Sequence, residues 1–270
     1  MMNRNRVAVF LARIRIPLVL VGAVLILPGE WLGVPFWLGV SVFVMALAVY
    51  LRLGRVRRAE RTVVPPVSGR WMALNTPADG VPSHGLHTYG QTYAIDLVAE
   101  PADASRPDVG WRPLSRPPQD FPAFGEPVLA PGPGRVLRVR DTQRDHRSRT
   151  SWPLVFGMIV EGAVRELGGP GRILGNHVVL ALDSGDYAVL AHLKQGSTLV
   201  AVGDTVVAGQ PLAACGNSGN SSEPHVHFQL MDHPRVWLAA GLPFRWERYV
   251  DAASGREYSG VPTSWRPVWL

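Results

Sequence analysis

The segment Pro224-His225-Val226-His227-Phe228 sets two imidazoles two positions apart. Alternate side chains of a β-strand share a face, so His225 and His227 point one way while Val226 and Phe228 point into a core. Two imidazoles on one face can hold a metal together, or one can bind while its neighbour moves protons. An isolated pair of this kind is a weak signal. Its position directly after the turn-rich Gly216-Asn217-Ser218-Gly219-Asn220-Ser221-Ser222 strengthens it.

Two further segments carry candidate ligands. In Tyr93-Ala94-Ile95-Asp96-Leu97-Val98, a strand sends Tyr93, Ile95 and Leu97 to one side and Asp96 to the other, with Ala94 and Val98. A carboxylate in such an apolar strand is costly to bury unless it is paired or bound to a cation. Upstream lie His84 and His87 in Pro82-Ser83-His84-Gly85-Leu86-His87. Read alone, Asp96 serves equally well as a structural carboxylate, and the two histidines as solvated loop residues. His192 closes the apolar run Tyr187–Leu193, where its plainest role is that of a satisfied core or edge histidine. His146, His177 and His233 read as structural or exposed, and Asn176 as a turn residue or a contact to the site. The single cysteine, Cys215, excludes an internal disulfide and a cysteine-rich zinc site, but leaves His/Asp metal chemistry open.

The elements that must position these groups are mostly strands. TYAIDLV, RVLRV, HVVLAL, YAVLAHL, PLAACG and HVHFQLM are short apolar runs separated by Gly, Pro, Asn and Asp. They predict a mainly β domain over residues 70–270, built on an antiparallel sheet of barrel-sandwich style. The valine runs around Gly203-Asp204 and Ala208-Gly209 predict tight hairpins. Pro101–Pro127 reads as a surface loop placed where it could regulate access, Asp141–Arg149 as a solvated stretch, and Trp152–Leu167 as a short inserted helix.

The amino-terminal region differs in kind. Residues 31–51, WLGVPFWLGVSVFVMALAVYL, hold no charge and at about 1.5 Å per residue match a hydrocarbon core of roughly 30 Å. Trp31, Trp37 and Tyr50 fall where interfacial aromatics belong, and arginines follow. A second span is expected over residues 7–28, with the turn at Pro28-Gly29-Glu30 and with Arg13 and Arg15 reaching for the interface. Residues 1–61 therefore read as a membrane anchor preceding the β domain, and 62–69, containing Val63-Val64-Pro65-Pro66, as a linker. Arginines flank both ends of the apolar region, so charge alone would leave both ends in the cytoplasm.

Composition bounds the rest. Of 270 residues, 47% are hydrophobic and 18% charged, which excludes disorder. The net charge of +6 is almost wholly arginine, since Lys194 is the one lysine, and much of it flanks the apolar stretches. No basic run interleaved with aromatics follows, so nucleic acid is not an expected partner.

In order and mutual spacing, YAIDLV, APGPGRV, GNHVVL, YAVLAHL, VGDTVVAGQPLAACGNSGNSSEPHVHFQL and GLPF resemble the lysostaphin-type (LytM-like) zinc endopeptidases of bacterial cell walls, over roughly Trp71–Phe244. The resemblance implies one zinc ion held by His227, Asp96 and a further histidine, with His192 and His225 as the catalytic pair. The compact His-x-x-x-Asp spacing of that family is absent here. PSHG followed by YGQTYAIDL looks like an expanded form of it, which favours His84 as the remaining ligand, with His87 as the alternate.

The chemistry so implied is hydrolysis of peptide bonds in peptidoglycan, in the stem or cross-bridge. Zinc with three protein ligands keeps a position open, one imidazole accepts the water's proton, and the other orients the water or stabilises the oxyanion. The roles of His192 and His225 are interchangeable at this level. A wall-facing enzyme must lie outside the cytoplasm, and substrate access outweighs the arginine flanks. Some relatives have lost ligands and serve as wall-binding or activating modules, but all five candidate side chains are present. VGDTVVAGQPLAACG also resembles lipoyl and biotinyl carrier hairpins, which need a lysine at the exposed turn where none lies.

Overall fold

The computed structural model describes residues 4–26, 33, 35–52 and 55–270. Two apolar helices come first, α1 (Arg4–Ile26) and α2 (Phe36–Arg52), followed by strands β1 (Arg61–Val63), β2 (Arg70–Leu74), β3 (Ile95–Ala99), β4 (Pro127–Leu129) and β5 (Gly134–Arg140). Helices α3 (Trp152–Leu167) and α4 (Pro170–Leu174) are inserted before β6 (Asn176–Leu182) and β7 (Tyr187–Leu193). The chain ends in β8 (Thr205–Val206), β9 (Pro211–Ala214), β10 (Val226–Met231), β11 (Gly241–Leu242), β12 (Phe244–Asp251), β13 (Glu257–Gly260) and β14 (Pro267–Trp269).

The domain is mainly β. Among the described residues one sheet runs β1-β12-β14-β2-β3-β10-β7-β6-β5-β8, with β11 on β10 and β13 on β12; β4 and β9 form a separate pair. Pairing is antiparallel except β1 on β12. Alternation sorts the central strands into two faces. Ile95, Leu97, Leu190, Val226, Phe228 and Leu230 enter the main core, while Val189, Ala191 and Met231 join a smaller cluster on the opposite face. His227 shares that second face with Met231, and its direct cross-strand neighbours are Asp96 on β3 and Ala191 on β7.

Several expectations are corrected. The strand expected at Tyr93 starts at Ile95, because Thr88–Tyr93 forms a short 3-10 segment with Tyr89 and Gly90 left-handed. The valine runs do not close on each other as hairpins: β8 pairs with β5 and β9 with β4, so the Val207–Gln210 turn carries the chain between two sheets. Asp141–Arg149 is not a solvated stretch. Asp145 Oδ1 accepts from Asn217 N at 2.7 Å, Asn217 donates to the His146 carbonyl at 2.8 Å, and Arg149 donates to the Ser221 carbonyl at 2.7 Å. This strap fixes the 216–222 turn. Gly219 in that turn has φ +75, and a Cβ there would overlap the backbone of Gly175, so glycine is required on both counts.

At the amino terminus, α1 bends by 49° between Asn5–Ile14 and Pro17–Ile26. Pro17 lacks an N–H for the helical ladder, which accounts for the kink. Together the two halves have the length and composition of a bent span, but no single described helix is long and apolar enough to cross. Arg13 does not reach for an interface: its guanidinium pairs with Asp232 at 3.2 Å and also donates to the Leu238 carbonyl. The expected turn at Pro28–Glu30 and the start of the expected 31–51 span lie outside the described residues.

Candidate active site

Asp96 is the hub of the site. Its Oδ1 lies 2.9 Å from His227 Nδ1 and 3.6 Å from His225 Nε2, and its Oδ2 lies 2.9 Å from His84 Nε2. Ligand atoms of His84, Asp96 and His227 all fall within 4.8 Å of one another. The ring of His192 stands 4.6 Å from that of His225 and 5.8 Å from that of His227, centroid to centroid. Five side chains drawn from the 84–96 region, β7, β10 and the residue that directly precedes β10 thus share one place. His87 is not among them: it is buried, with Nδ1 3.1 Å from Thr92 Oγ1.

Simple alternation would send His192 to the main core with Ala188 and Leu190. The β6–β7 register passes from His177↔Ala191 to Asn176↔Leu193, leaving His192 as an extra residue, and its φ is +61. This bulge re-aims the imidazole, a recurrent use of bulges beside functional sites. His192 Nδ1 then donates to the Ser218 carbonyl at 2.9 Å. Asn176 braces the same corner by bonding Leu193 O and both backbone groups of Gln143; it does not touch the cluster.

Hydrogen-bond partners fix what each ring can offer. Gln229 donates its amide to the Tyr89 carbonyl at 2.7 Å, so its Oε1, 2.9 Å from His227 Nε2, accepts that ring's N–H. Nδ1 of neutral His227 therefore turns a lone pair toward Asp96. On the other side Ser83 donates to the Ala94 carbonyl at 2.6 Å, and its oxygen faces His84 Nδ1 at 3.1 Å. His84 Nε2 likewise presents a lone pair to Asp96. Two acceptor nitrogens against two carboxylate oxygens at 2.9 Å need a shared cation, either protons or a metal. A 2-His-1-carboxylate set of this kind fits zinc. Asn75 completes the shell by donating to Asp96 Oδ2 at 2.9 Å.

The electrostatics follow from this packing. Burial would raise the Asp96 pKa, but nearby His84 and His225 and the bonds to His227 and His84 hold it well below the usual carboxylate value. Burial works against charge on His227, yet its bond to Asp96 raises that pKa. Burial, then the neighbouring His225 and His227, push His192 well below the ordinary imidazole value, so it is neutral. Nδ1 of His225 faces the Glu223 carbonyl at 2.8 Å and Ser221 Oγ at 3.1 Å, which directs Nε2 to the cluster.

Sequence reasoning missed Ser83, Asn75 and Gln229. Only Gln229 left a trace, two residues past His227 and so on the same strand face.

Comparison with known proteins returns the same resemblance. Residues 158–236 match the model of peptidase family M23, a stretch containing His192, His225 and His227. Among solved structures, the catalytic domain of lysostaphin from Staphylococcus simulans is 20% identical, covering 64% of this chain and 88% of that one at a TM-score of 0.34. A zinc-containing peptidase from Vibrio cholerae is 21% identical over 70% of this chain and 39% of that one, with a TM-score of 0.32. The M23 metalloprotease pseudoalterin from the deep sea is 16% identical over 78% of this chain and all (100%) of that one, with a TM-score of 0.40. The chain thus spans well under two thirds of the Vibrio cholerae protein. No curated protein matches it. The chain resembles the lysostaphin-type metallopeptidases, and the family match supports a peptidase.

Proposed function

We propose that this protein is a zinc-dependent endopeptidase that hydrolyses peptide bonds in peptidoglycan. The observation that carries the reading is the convergence of His84, Asp96 and His227 within 4.8 Å, with the buried His192 and His225 rings beside them. These three would hold the ion. When bound, zinc supplies a Lewis acid for the scissile carbonyl and acidifies water toward a pKa of about 7.

The chain's own groups do the rest. His225, with Nδ1 engaged by the Glu223 carbonyl, takes the proton of the attacking water on Nε2. As the water oxygen bonds to the carbonyl carbon and the C–N bond breaks, the same nitrogen returns that proton to the leaving amine. His192, neutral and held by Ser218, accepts a hydrogen bond from the water and orients it. Rings 4.6 Å apart do not readily carry two charges, so one proton serves the pair.

We further propose a membrane location, with the β domain outside the cytoplasm where the wall lies. Pro17–Ile26 and α2 support the membrane location, though not the side, by exposing Leu20, Val21, Val24, Trp37, Val44 and Met45, large apolar side chains that the domain does not cover.

The test is digestion of purified cell wall by the full chain, with and without a chelator, and mass analysis of the fragments. New peptide termini that vanish on chelation and in His227→Ala are expected. Intact wall in the presence of stoichiometric zinc would overturn the reading and leave a binding or activating module. Recovery of the chain in the alkaline-soluble fraction of cells would overturn the membrane placement.

A further inference from the structure

Beside the cluster lies a cleft of about 620 Å3 whose walls include Asn75, Asp79, Ser83, Arg106, Glu223 and Trp265. It adjoins the site through residues bonded to the cluster. Asn75 donates to Asp96, Ser83 faces His84 Nδ1, and the Glu223 carbonyl holds His225.

Trp265 is the unusual member. Its φ is +63, a left-handed conformation rarely adopted by a bulky residue, and its side chain is among the most exposed of the large hydrophobics at 65%. The backbone that imposes this is firmly tied. Trp265 N donates to the Ala73 carbonyl at 3.1 Å, Ser264 N to Asp79 Oδ2 at 3.0 Å, and Thr76 Oγ1 to the Pro262 carbonyl at 2.8 Å. Strain held in this way by surrounding bonds is characteristic of ligand clamps. The result is a flat indole standing in solvent at the mouth of a polar cleft.

The other wall limits what could bind. Glu223 is buried and Arg106 partly buried, and the two are joined by two bonds, Nε–Oε2 and Nη2–Oε1, both 2.6 Å. The fork that would grip a carboxylate is therefore spent on Glu223, and Asp79 would repel an anion. The Arg106 guanidinium already sits 5.7 Å from the Trp265 ring centre, which disfavours a second cation there. An extended peptide would seek an unpaired strand edge, but β2 is paired on both sides, by β3 and β14. What remains is a neutral ligand with one flat apolar face and hydrogen-bonding edges. A pyranose ring has this shape: its axial C–H groups stack on indole, and its hydroxyl and amide groups reach Asn75, Ser83 and Asp79.

We infer that the Trp265 cleft binds an amino-sugar ring of the glycan strand, so that the protein engages sugar and peptide of one wall polymer together. This rests on the peptidase reading above, naming the part of the substrate that the cleft holds.

The experiment is titration of the metal-free full chain with a β-1,4-linked N-acetylglucosamine tetramer, by calorimetry and saturation-transfer NMR. Trp265→Gly removes the ring while suiting the positive φ, so lost binding is not lost folding. Binding by the parent chain is expected, weakened at least tenfold in Trp265→Gly and largely kept in Trp265→Tyr. No binding by the parent, or equal binding by Trp265→Gly, would overturn the inference. The two readings fail separately. Chelator-sensitive wall cleavage without tetramer binding removes the sugar cleft alone, whereas Trp265-dependent binding without cleavage removes the peptidase.

Discussion

Gln229 Oε1 accepts the Nε2 proton of His227 at 2.9 Å, and the Gln229 amide is itself held by the Tyr89 carbonyl. The tautomer of His227 is therefore set two residues away on the same strand. Outer partners of this kind typically change metal affinity by 10- to 100-fold. Gln229→Leu is expected to weaken zinc binding by about that range in a competition titration with a chromogenic chelator. Unchanged affinity would show that the ring is oriented by other means.

Zinc should stabilise the fold. At a free concentration 100 times the dissociation constant, a ligand bound only by the native state adds about 2.7 kcal/mol. The unfolding midpoint of the full chain is expected to rise on zinc addition, and Asp96→Asn is expected to abolish most of the rise. An equal rise in that variant would place the ion elsewhere.

His177 gives a pH signature away from the cluster. Burial, with Arg138 and Arg140 nearby and only partial relief from the Gly175 carbonyl, lowers its pKa to about 4. The unfolded side chain titrates near 6.5, so between these values the unfolded state binds more protons, and stability rises with pH. The contribution is complete above about pH 6.5 and is lost as pH falls toward 4, amounting to about 3 kcal/mol. Denaturant unfolding at pH 7 and pH 4.5 is expected to show a smaller difference for His177→Gln than for the parent. Identical pH dependence would remove His177 from the acid response.

The Arg106–Glu223 pair is a test of buried charge. Breaking such a pair from one side typically destabilises by about 3–5 kcal/mol, because the remaining charge is stranded. Arg106→Ala, which strands the buried Glu223, should fall near that range, Glu223→Ala below it because Arg106 is only partly buried, and the double variant well short of their sum. Additive losses would mean that the two groups act independently despite their 2.6 Å contacts.

Much of this was legible before any coordinates. Strand periodicity marked β5, β6, β7 and β10, and the helix expected at Trp152–Leu167 spans those residues. Period-two alternation aligned His225 with His227 because the residue before β10 continues its extended direction, with both imidazoles facing Asp96 Oδ1. The same rule misplaces His192, since a bulge and a left-handed backbone are decided by pairing with β6. Spacing left His84 and His87 open. The fold separates them: the left-handed Gly85 turns the chain between them, and Thr92 engages His87. The valine runs deceived because a hairpin and a crossover between sheets share the same turn residues. Nothing local announced Trp265, whose position arises where residues 262–265 meet residues 73–79.

The grip of Arg13 on Asp232 has a mechanical corollary. Asp232 directly follows Met231, the last residue of β10, and β10 carries His227. Tension or tilt applied to α1 therefore reaches an imidazole of the cluster through five residues, almost all of them in stiff extended backbone, with no slack tether between. Helix α1 is thus geared to the strand at the centre of the sheet rather than merely leashing it.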